Sequence, residues 1–326
     1  MRSCLKTART CSVIAIFILF SYTFSFAQYE DVKGVKFKDG SIVYGIIIQM
    51  DADKVIIASK DNNAVIRKSS DIASLIKEDD LIKGRHSFAL GTEISYFKYE
   101  EPDPPSIEEK GMMYGIVGSY TYRNKLMAKL EGKFAYGLLD YNGSTWDGTP
   151  LTISGISDYM LELRGLLGYD FVVKNITITP DFGVGYRYLQ DNSQDKSPGG
   201  YQRESNYIYI PIGVGAVANL GKGWSLGANV EYDLFVWGKQ TSYLSNNDSG
   251  YNDIDNEQVK GYGVRGSISI AKKGEKIGFL IEPYIRYWNI KESDYADLYY
   301  SGTSLGYGYE PNNDSTEIGC KLAVTF

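Results

Sequence analysis

The sequence predicts an all-β chain: a small N-terminal β-domain followed by an up-and-down antiparallel barrel of ten transmembrane strands. Three observations support this prediction. Apolar and polar residues alternate at a period of two, short and long connections alternate along the chain, and the composition favours strands and turns. The chain has 28 Tyr, 13 Phe and 35 Gly among 326 residues; aromatic residues favour strands and glycine favours turns. Such a composition fits a soluble β-protein or a membrane barrel, and the periodicity must decide between them.

The period of two is clear in residues 126–134. Leu130 and Phe134 share one face of the predicted strand, because alternate residues of a strand point to the same side. Lys129 and Glu131 lie on the opposite face. A charged Arg or Lys turned toward lipid at the bilayer mid-plane costs about 2–4 kcal/mol. We therefore predict that the apolar face meets lipid and that the charged face lines the lumen.

The charges predicted to point inward form a nearly balanced set of eight acids and seven bases. The set consists of Glu93, Lys129, Glu131, Lys133, Glu162, Arg164, Asp181, Arg187, Glu231, Asp233, Arg265, Glu282, Arg286, Glu317 and Lys321. A barrel of about eight strands is just filled by side chains, and ten strands lie near that size. We expect these charges to pair and to close the lumen.

The connections give the strand count. Short connections are predicted at 123–125, 172–175, 220–223 and 272–276, and long ones at 100–111, 140–157, 190–205, 239–259 and 291–315. Tight turns that alternate with long loops indicate a barrel with its turns in the periplasm and its loops outside. The strand cores between them are 88–99, 112–122, 127–138, 159–169, 176–188, 207–218, 224–236, 261–270, 278–288 and 317–326. Each is long enough to cross a bilayer, which takes about 9 to 11 tilted residues.

Residues 28–80 predict a separate small β-domain in front of the barrel, joined to it by a linker at 81–85. Short β-branched segments alternate here with acidic turns, including Asp39-Gly40 and residues 51–53. This region resembles the small SH3-like or Sm-like β-barrels. The alternative is an unstructured lead-in.

The first 27 residues predict a secretory signal. Arg2, Lys6 and Arg9 precede an apolar run at 13–20, and a small-residue cleavage site follows at 25–27. A transmembrane anchor is the alternative, but the run is shorter than the roughly 20 residues that a spanning helix needs. Cleavage would change the formal net charge from −6 to −9. An acidic secreted chain excludes nucleic acid as a partner.

The last predicted strand ends at Phe326, with apolar residues at every second position before it. This ending resembles the signal that barrel-assembly machinery recognises in the outer-membrane β-barrel superfamily of Gram-negative bacteria. The resemblance implies an integral outer-membrane protein in contact with membrane lipid and lipopolysaccharide. Its barrel, residues 86–326, would have the N-terminal domain and the C-terminus on the periplasmic side.

Ten strands is also the architecture of the omptin proteases. Omptins resemble the barrel lipases, deacylases and palmitoyltransferases in using a catalytic histidine. The only histidine of this chain is His86, which is predicted at the periplasmic rim, whereas the omptin His-Asp pair lies near the outer rim. We therefore expect no enzymatic activity, and we predict no catalytic residue, cofactor or metal site.

The long loops are rich in Tyr, Asn, Ser and Gly, a chemistry typical of adaptable binding surfaces. We expect a non-enzymatic protein that displays these loops for adhesion or envelope structure. A narrow passive pore is the second hypothesis, and an omptin-like or lipid-modifying enzyme is the third. The acidic first loop contains Glu100, Glu101, Asp103, Glu108 and Glu109. Divalent cations could bridge this loop to lipopolysaccharide phosphates. The acidic run 253–257 lacks the glycine and the spacing of an EF-hand loop and is read as a charge run.

Overall fold

The computed structural model describes residues 32–59, 63–77, 85–102, 106–145, 148–274 and 276–326. The chain divides into two compact units, Met1–Lys83 and Gly84–Phe326. The predicted signal at 1–27 lies outside the described residues, as do residues 81–84 of the predicted linker. The predicted boundaries at residues 27 and 80 therefore stay predictions.

The first unit contains a five-stranded antiparallel sheet. Its strands are β1 Val32–Phe37, β2 Ile42–Met50, β3 Lys54–Ser59, β4 Ala64–Lys68 and β5 Ile72–Lys77. Their order is β4-β3-β2-β1-β5, so the last strand pairs with the first. Buried Val35, Phe37, Val55 and Ile57 form the centre of its core. The likeness of this unit to SH3-like or Sm-like domains stays a prediction.

The second unit is a closed barrel. Its strands are β6 Arg85–Glu101, β7 Ile107–Asn124, β8 Leu126–Ser144, β9 Pro150–Tyr169, β10 Phe171–Val173, β11 Ile176–Asn192, β12 Gln202–Gly221, β13 Trp224–Tyr243, β14 Ile254–Gln258, β15 Gly261–Lys272, β16 Gly278–Ile290, β17 Ala296–Tyr300, β18 Thr303–Gly308 and β19 Asn313–Thr325. In the described part of the chain, ten of them form the barrel wall, in the order β6-β7-β8-β9-β11-β12-β13-β15-β16-β19. The last pairs with the first, and Phe88 and Phe326 exchange backbone hydrogen bonds of 3.2 and 2.8 Å there. The predicted strand count is confirmed, while the role of Phe326 in assembly stays a prediction.

Three of the short connections reverse the chain with a lysine in the left-handed backbone region. Lys125, Lys174 and Lys222 have φ values of 55°, 56° and 50°. Glycines with φ of 82° and 81° flank Lys222, as suits residues without a Cβ. These turns lie where the sequence predicts them.

The outer face of the barrel is apolar along the middle of its strands. On β13, Leu226, Val230 and Leu234 are exposed, whereas Glu231 and Asp233 are buried. Charges follow this apolar band on the outer face where the long connections begin, at Lys98, Glu100, Glu108, Lys110, Asp140 and Lys239. We call this end of the barrel the loop end and the opposite end the turn end. The membrane-spanning segments lie between the turns and these charges.

The barrel strands extend beyond the membrane at the loop end. β9, β12 and β13 have 20 residues each, about twice the number that crossing a bilayer takes. The predicted loops at 140–157 and 190–205 were therefore too long. β8 continues to Ser144 and β9 begins at Pro150, while β11 continues to Asn192. Outside lipid the outer face becomes polar, so the hydrophobic alternation fades although the hydrogen-bonded ladder continues.

Regular structure also occupies two of the remaining loops. β14 pairs with the end of β13, so most of the acidic run 253–257 is strand, and Asp255 lies 2.8 Å from Lys239. β17 and β18 form a hairpin, beside which Tyr295 packs against Tyr307 with ring centroids 4.9 Å apart. No helix in the described ranges has the length and apolarity that crossing a bilayer requires.

A pair of valines on β13 tests the assignment of the lipid face. Val230 is at the middle of the outward apolar row, and Val236 lies near its loop end, roughly 20 Å further along the strand. We expect Val230→Arg to lower the free energy of unfolding from phospholipid vesicles by about 2–4 kcal/mol and Val236→Arg by about 0–1 kcal/mol, because the cost depends on depth. Equal losses in a urea titration would contradict the assignment.

Candidate functional site

The interior of the barrel has three levels along its strands. On β9, the inward positions Glu162, Met160 and Asp158 follow one another at a spacing of two. On β11, Leu189 and Asp191 continue the same order. A charged level near the turn end is thus followed by an apolar level and then by a second charged level near the loop end.

Arg265 is the centre of the first level, which we call the lumen network and which consists of the inward charges predicted above. Its guanidinium donates to Glu162 at 3.0 Å and to Asp233 at 2.5 Å. Glu231 lies 3.3 Å from the same group and also accepts a hydrogen bond from Arg164. A buried arginine therefore has three carboxylates around it, one of which links it to a second arginine.

A second group in the lumen network joins two bases to two acids. Lys133 lies 2.6 Å from Glu93 and also contacts Glu317. Arg286 lies 3.4 Å from Glu93 and 3.1 Å from Glu317. The Tyr284 hydroxyl donates to Glu317 at 3.1 Å. Every charge in this group has a partner of opposite sign.

The remaining pairs lie on the turn-end side. Arg164 is 3.0 Å from Glu131, which lies 2.6 Å from Lys129. Lys321 is 2.9 Å from Glu282. These residues line a cavity of only about 160 Å³, which has room for a few water molecules.

Two members of the predicted set are not in ion pairs with described residues. Arg187 is buried and lies 5.4 Å over the ring of Trp288, while Ser315 accepts a hydrogen bond from it at 3.4 Å. Asp181 is half-buried, with no carboxylate-to-cation contact among the described residues. The structure thus brings together thirteen of the fifteen predicted lumen charges in ion pairs between described residues.

The second level, which we call the apolar layer, packs side chains across the barrel. It comprises Phe97, Met113, Ala135, Leu139, Met160, Leu189, Tyr207, Tyr209, Phe235, Trp288 and Ile290. Among the described residues, eight of the ten barrel strands contribute to it, and its two clusters meet at Leu189. Leu139 and Tyr209 are 0% exposed. Contacts of this kind leave little space for water between the two charged levels.

The third level, which we call the acid chamber, has many acids and little positive charge. It comprises Glu101, Glu109, Asp158, Asp191, Arg203 and Glu310. Arg203 lies 3.0 Å from Asp191 and 3.6 Å from both Glu101 and Glu109. Within the described residues, Arg203 is the one cation in an ion pair with these acids. The described part of the chamber therefore has five buried carboxyl groups and a single guanidinium, which pairs with three of them.

Burial and mutual repulsion keep several of these carboxyls partly protonated. Burial, assisted by the charge of Asp191, raises the pKa of Glu109 to about 8. Burial and the charges of Glu109 and Asp191 raise the pKa of Asp158 well above its usual range. Burial and the charge of Glu101 raise the pKa of Glu310 to about 7. At neutral pH the chamber therefore holds protons that exposed carboxyls would have released.

The Tyr99 hydroxyl connects two of these acids. Its oxygen lies 2.9 Å from Glu101 and 2.9 Å from Glu310. One hydroxyl has a single proton to donate, so it can satisfy only one carboxylate. The second contact becomes a hydrogen bond when the other carboxyl is protonated and donates to the hydroxyl oxygen.

A cavity of about 950 Å³ lies beside the acid chamber at the loop end. Glu101, Asp191 and Arg203 line it together with Tyr141 and Tyr201. Its volume is at the upper end of the range of about 300–1,000 Å³ that small-molecule sites occupy. Charged groups of both signs and aromatic rings thus meet at one accessible surface.

The sequence has no match among family models or curated proteins, but solved structures share its fold. The outer membrane protease OmpT from Escherichia coli matches with a TM-score of 0.51 and 11% identity over 74% of this chain and 96% of its own. The chain has the fold of an outer-membrane β-barrel protein. Weaker matches are Neisserial surface protein A, with a TM-score of 0.28 and 12% identity over 73% and 95%, and the Pseudomonas putida toluene transporter TodX, with 0.29 and 10% over 74% and 89%.

The histidine of this outer-membrane barrel is far from the acid chamber. His86 lies on the outer face at the turn end, where its Nδ1 is 2.8 Å from the Tyr120 hydroxyl and its ring packs on Tyr122. On the same strand, Glu101 comes 15 positions later, roughly 50 Å away along β6. No described carboxylate is within ion-pair distance of His86.

The acid chamber was missed at the sequence level. Glu101 and Glu109 were assigned to an exposed acidic loop, but both are buried and point inward. Asp158 and Asp191 lie at inward positions of β9 and β11, in step with the inward residues nearer the membrane. Predicted strands that extended further would have included both residues among the inward charges. Glu310 comes from a loop, so no periodicity marks it.

Removing Arg265 tests the energetic role of the lumen network. We expect Arg265→Leu to lower the free energy of unfolding by about 3–5 kcal/mol, because Glu162 and Asp233 would keep buried charges without a partner. The control is Lys98→Leu, which removes a partly exposed ion pair with Glu100 on the outer face and should cost about 0–1 kcal/mol. Urea unfolding of both variants measures the difference, and comparable losses would contradict the role given to Arg265.

The raised pKa of Glu310 predicts a pH dependence of stability. The folded pKa of about 7 lies above the ordinary value of 4.5, so this group stabilises the fold fully below pH 4.5, and that stabilisation is lost as the pH rises toward 7. At 1.36 kcal/mol per pKa unit the loss is about 3 kcal/mol. Glu310→Gln should therefore be more stable than wild type at pH 8 and similar to it at pH 4.

The control for this experiment is Glu292→Gln, which removes an exposed carboxyl from the same loop. Thermal unfolding of the three proteins between pH 4 and pH 8 gives the comparison. A wild-type pH profile in Glu310→Gln would show that Glu310 is not the responsible group.

Proposed function

We propose that this protein is a non-enzymatic, non-conducting outer-membrane barrel that acts at its loop end in adhesion or envelope structure. One observation carries the proposal: the apolar layer and the lumen network fill the barrel below a cavity of about 950 Å³ at the loop end. The accessible chemistry is therefore on one side of a plugged barrel. A surface that binds a ligand is the simplest use of such an arrangement.

The closure of the lumen is supported at two levels. Ion pairs cross the lumen between strands that are not neighbours, since Arg265 on β15 bonds Glu162 on β9 and Lys133 on β8 contacts Glu317 on β19. The apolar layer adds Leu139 and Met160, which are almost completely buried. Wide aqueous channels belong to barrels of 16 or more strands.

The proposed orientation places the loop end outside the cell. Short turns at one end and long strand extensions at the other follow the pattern of bacterial outer-membrane barrels. Charges on the outer face at the loop end, such as Lys98 and Lys110, would then lie level with lipopolysaccharide phosphates. The turn end would face the periplasm, and the N-terminal unit is proposed to be periplasmic as well.

The absence of enzymatic activity is part of the proposal. The described chain places His86 at the turn end, about 50 Å along the strand from the acid chamber, so the chamber has no imidazole for acid–base work. Tyrosines that pack with one another, as Tyr251 does with Tyr300 at 4.9 Å, give the loop end the composition of a binding surface.

Conductance in a planar bilayer tests the closed lumen. We expect no stable open state in the wild-type protein, and increased conductance in a Leu139→Ala, Met160→Ala variant, because these side chains fill the apolar layer. The control is Leu138→Ala, Leu161→Ala, which truncates the neighbouring residues on the same strands but on the outer face. A large stable open state in the wild type would contradict this proposal and would favour the alternative function of a passive pore.

A further inference from the structure

Three carboxylates of the acid chamber converge on one point. Glu109 on β7, Asp158 on β9 and Asp191 on β11 each offer an oxygen, and these oxygens all lie within 4.8 Å of one another. Ca²⁺ binds oxygen at about 2.3–2.6 Å, so ligands on opposite sides of one ion are up to roughly 5 Å apart. The three oxygens are therefore close enough together to contact a single ion of this size.

The surroundings of the Asp158 side chain indicate that a binding partner is missing. It is 8% exposed, its Oδ1 accepts no hydrogen bond, and it makes no ion pair with any described residue. Glu109 is 3% exposed, and its Oε1 is likewise without a hydrogen bond, since Arg203 approaches Oε2 at 3.6 Å. Buried carboxyl groups in proteins are paired, protonated or bound to a metal.

We infer that the acid chamber binds a calcium ion through Glu109, Asp158 and Asp191. Arg203 occupies the other sides of this cluster, at Glu109 Oε2 and Asp191 Oδ2, and so leaves Glu109 Oε1 and Asp158 Oδ1 for the ion. The Asp191 Oδ1 accepts the backbone N–H of Ser193 at 2.7 Å, which holds this carboxylate in place. The ligands are all hard oxygens, the type that calcium prefers over softer donors.

The charge of the chamber favours a divalent ion over a monovalent one. The described chamber has five carboxyl groups and one guanidinium, and a charge of +2 offsets more of this excess than a single positive charge does. The ion would join β7, β9 and β11 across the intervening β8 and would fix Asp191, which also lines the loop-end cavity. This site is inside the barrel, unlike the bridge to lipopolysaccharide expected from the sequence, and it departs from the expectation of no metal site.

Calcium titration of the full chain tests this inference, and it does so independently of whether the barrel conducts. The protein is refolded in zwitterionic lipid without lipopolysaccharide, treated with a chelator, and titrated with CaCl₂ by isothermal calorimetry at constant pH and ionic strength. We expect one ion per chain with a Kd below about 1 mM. Asp158→Asn should weaken binding at least about tenfold, because one charged ligand is lost.

The matched control is Asp195→Asn, which removes one negative charge from an exposed position in the neighbouring loop and should leave the Kd unchanged. Glu109→Gln is a second ligand variant and decides the question if Asp158→Asn does not fold. Absence of calcium binding by the wild type would overturn the inference. Equal Kd values in the wild type and the folded ligand variants would overturn it as well.

Discussion

The constraint on which this structure depends is the absence of water inside the bilayer. Every backbone N–H and C=O there must find a partner within the protein, and a sheet can achieve this only by closing on itself. The pairing of β19 with β6 provides that closure. Once the sheet is closed, alternate side chains must enter either lipid or a narrow lumen, so the sequence places apolar residues at one parity and charged residues at the other. The apolar outer face and the charge-filled lumen therefore both follow from closure of the sheet in lipid.

A crowded charged interior imposes a second requirement. A desolvated ion pair gains stability only if its geometry and additional hydrogen bonds offset the cost of removing both groups from water. Arg265 meets this requirement with Glu162, Asp233 and the Tyr209 hydroxyl. Arg187 is accommodated differently, because its guanidinium stacks on Trp288 and has no carboxylate partner among the described residues. The apolar layer then separates this network from the acid chamber, so the two groups of charges sit at different depths.

The part of the fold that depends on local pattern was predictable from sequence. Alternation in strands such as β8 and turns at Lys125 and Lys222 determined the strand count and the inward charges, because lipid imposes the pattern residue by residue. Beyond the membrane that selection ends, so the predicted strands stopped too early. The acid chamber was predictable only in part: Asp158 continues the inward parity of β9, but Glu310 comes from a loop, and the carboxyl groups come together only in the folded barrel. The stacking of Arg187 on Trp288 could not be predicted either, because the two residues are about a hundred positions apart in sequence.

The strands continue beyond the membrane, and this continuation keeps the outer surface of the barrel separate from its interior. Flexible loops would not keep side chains on fixed sides in this way. On the extended part of β7, Glu108 faces outward beside Lys98, while its neighbour Glu109 faces the acid chamber. A substitution at one position therefore leaves the other surface unchanged, because the ladder fixes both side chains. The outer surface of this extension can therefore change in charge while the interior of the barrel stays the same. A rigid rim thus separates changes on the outer surface from changes in the acid chamber.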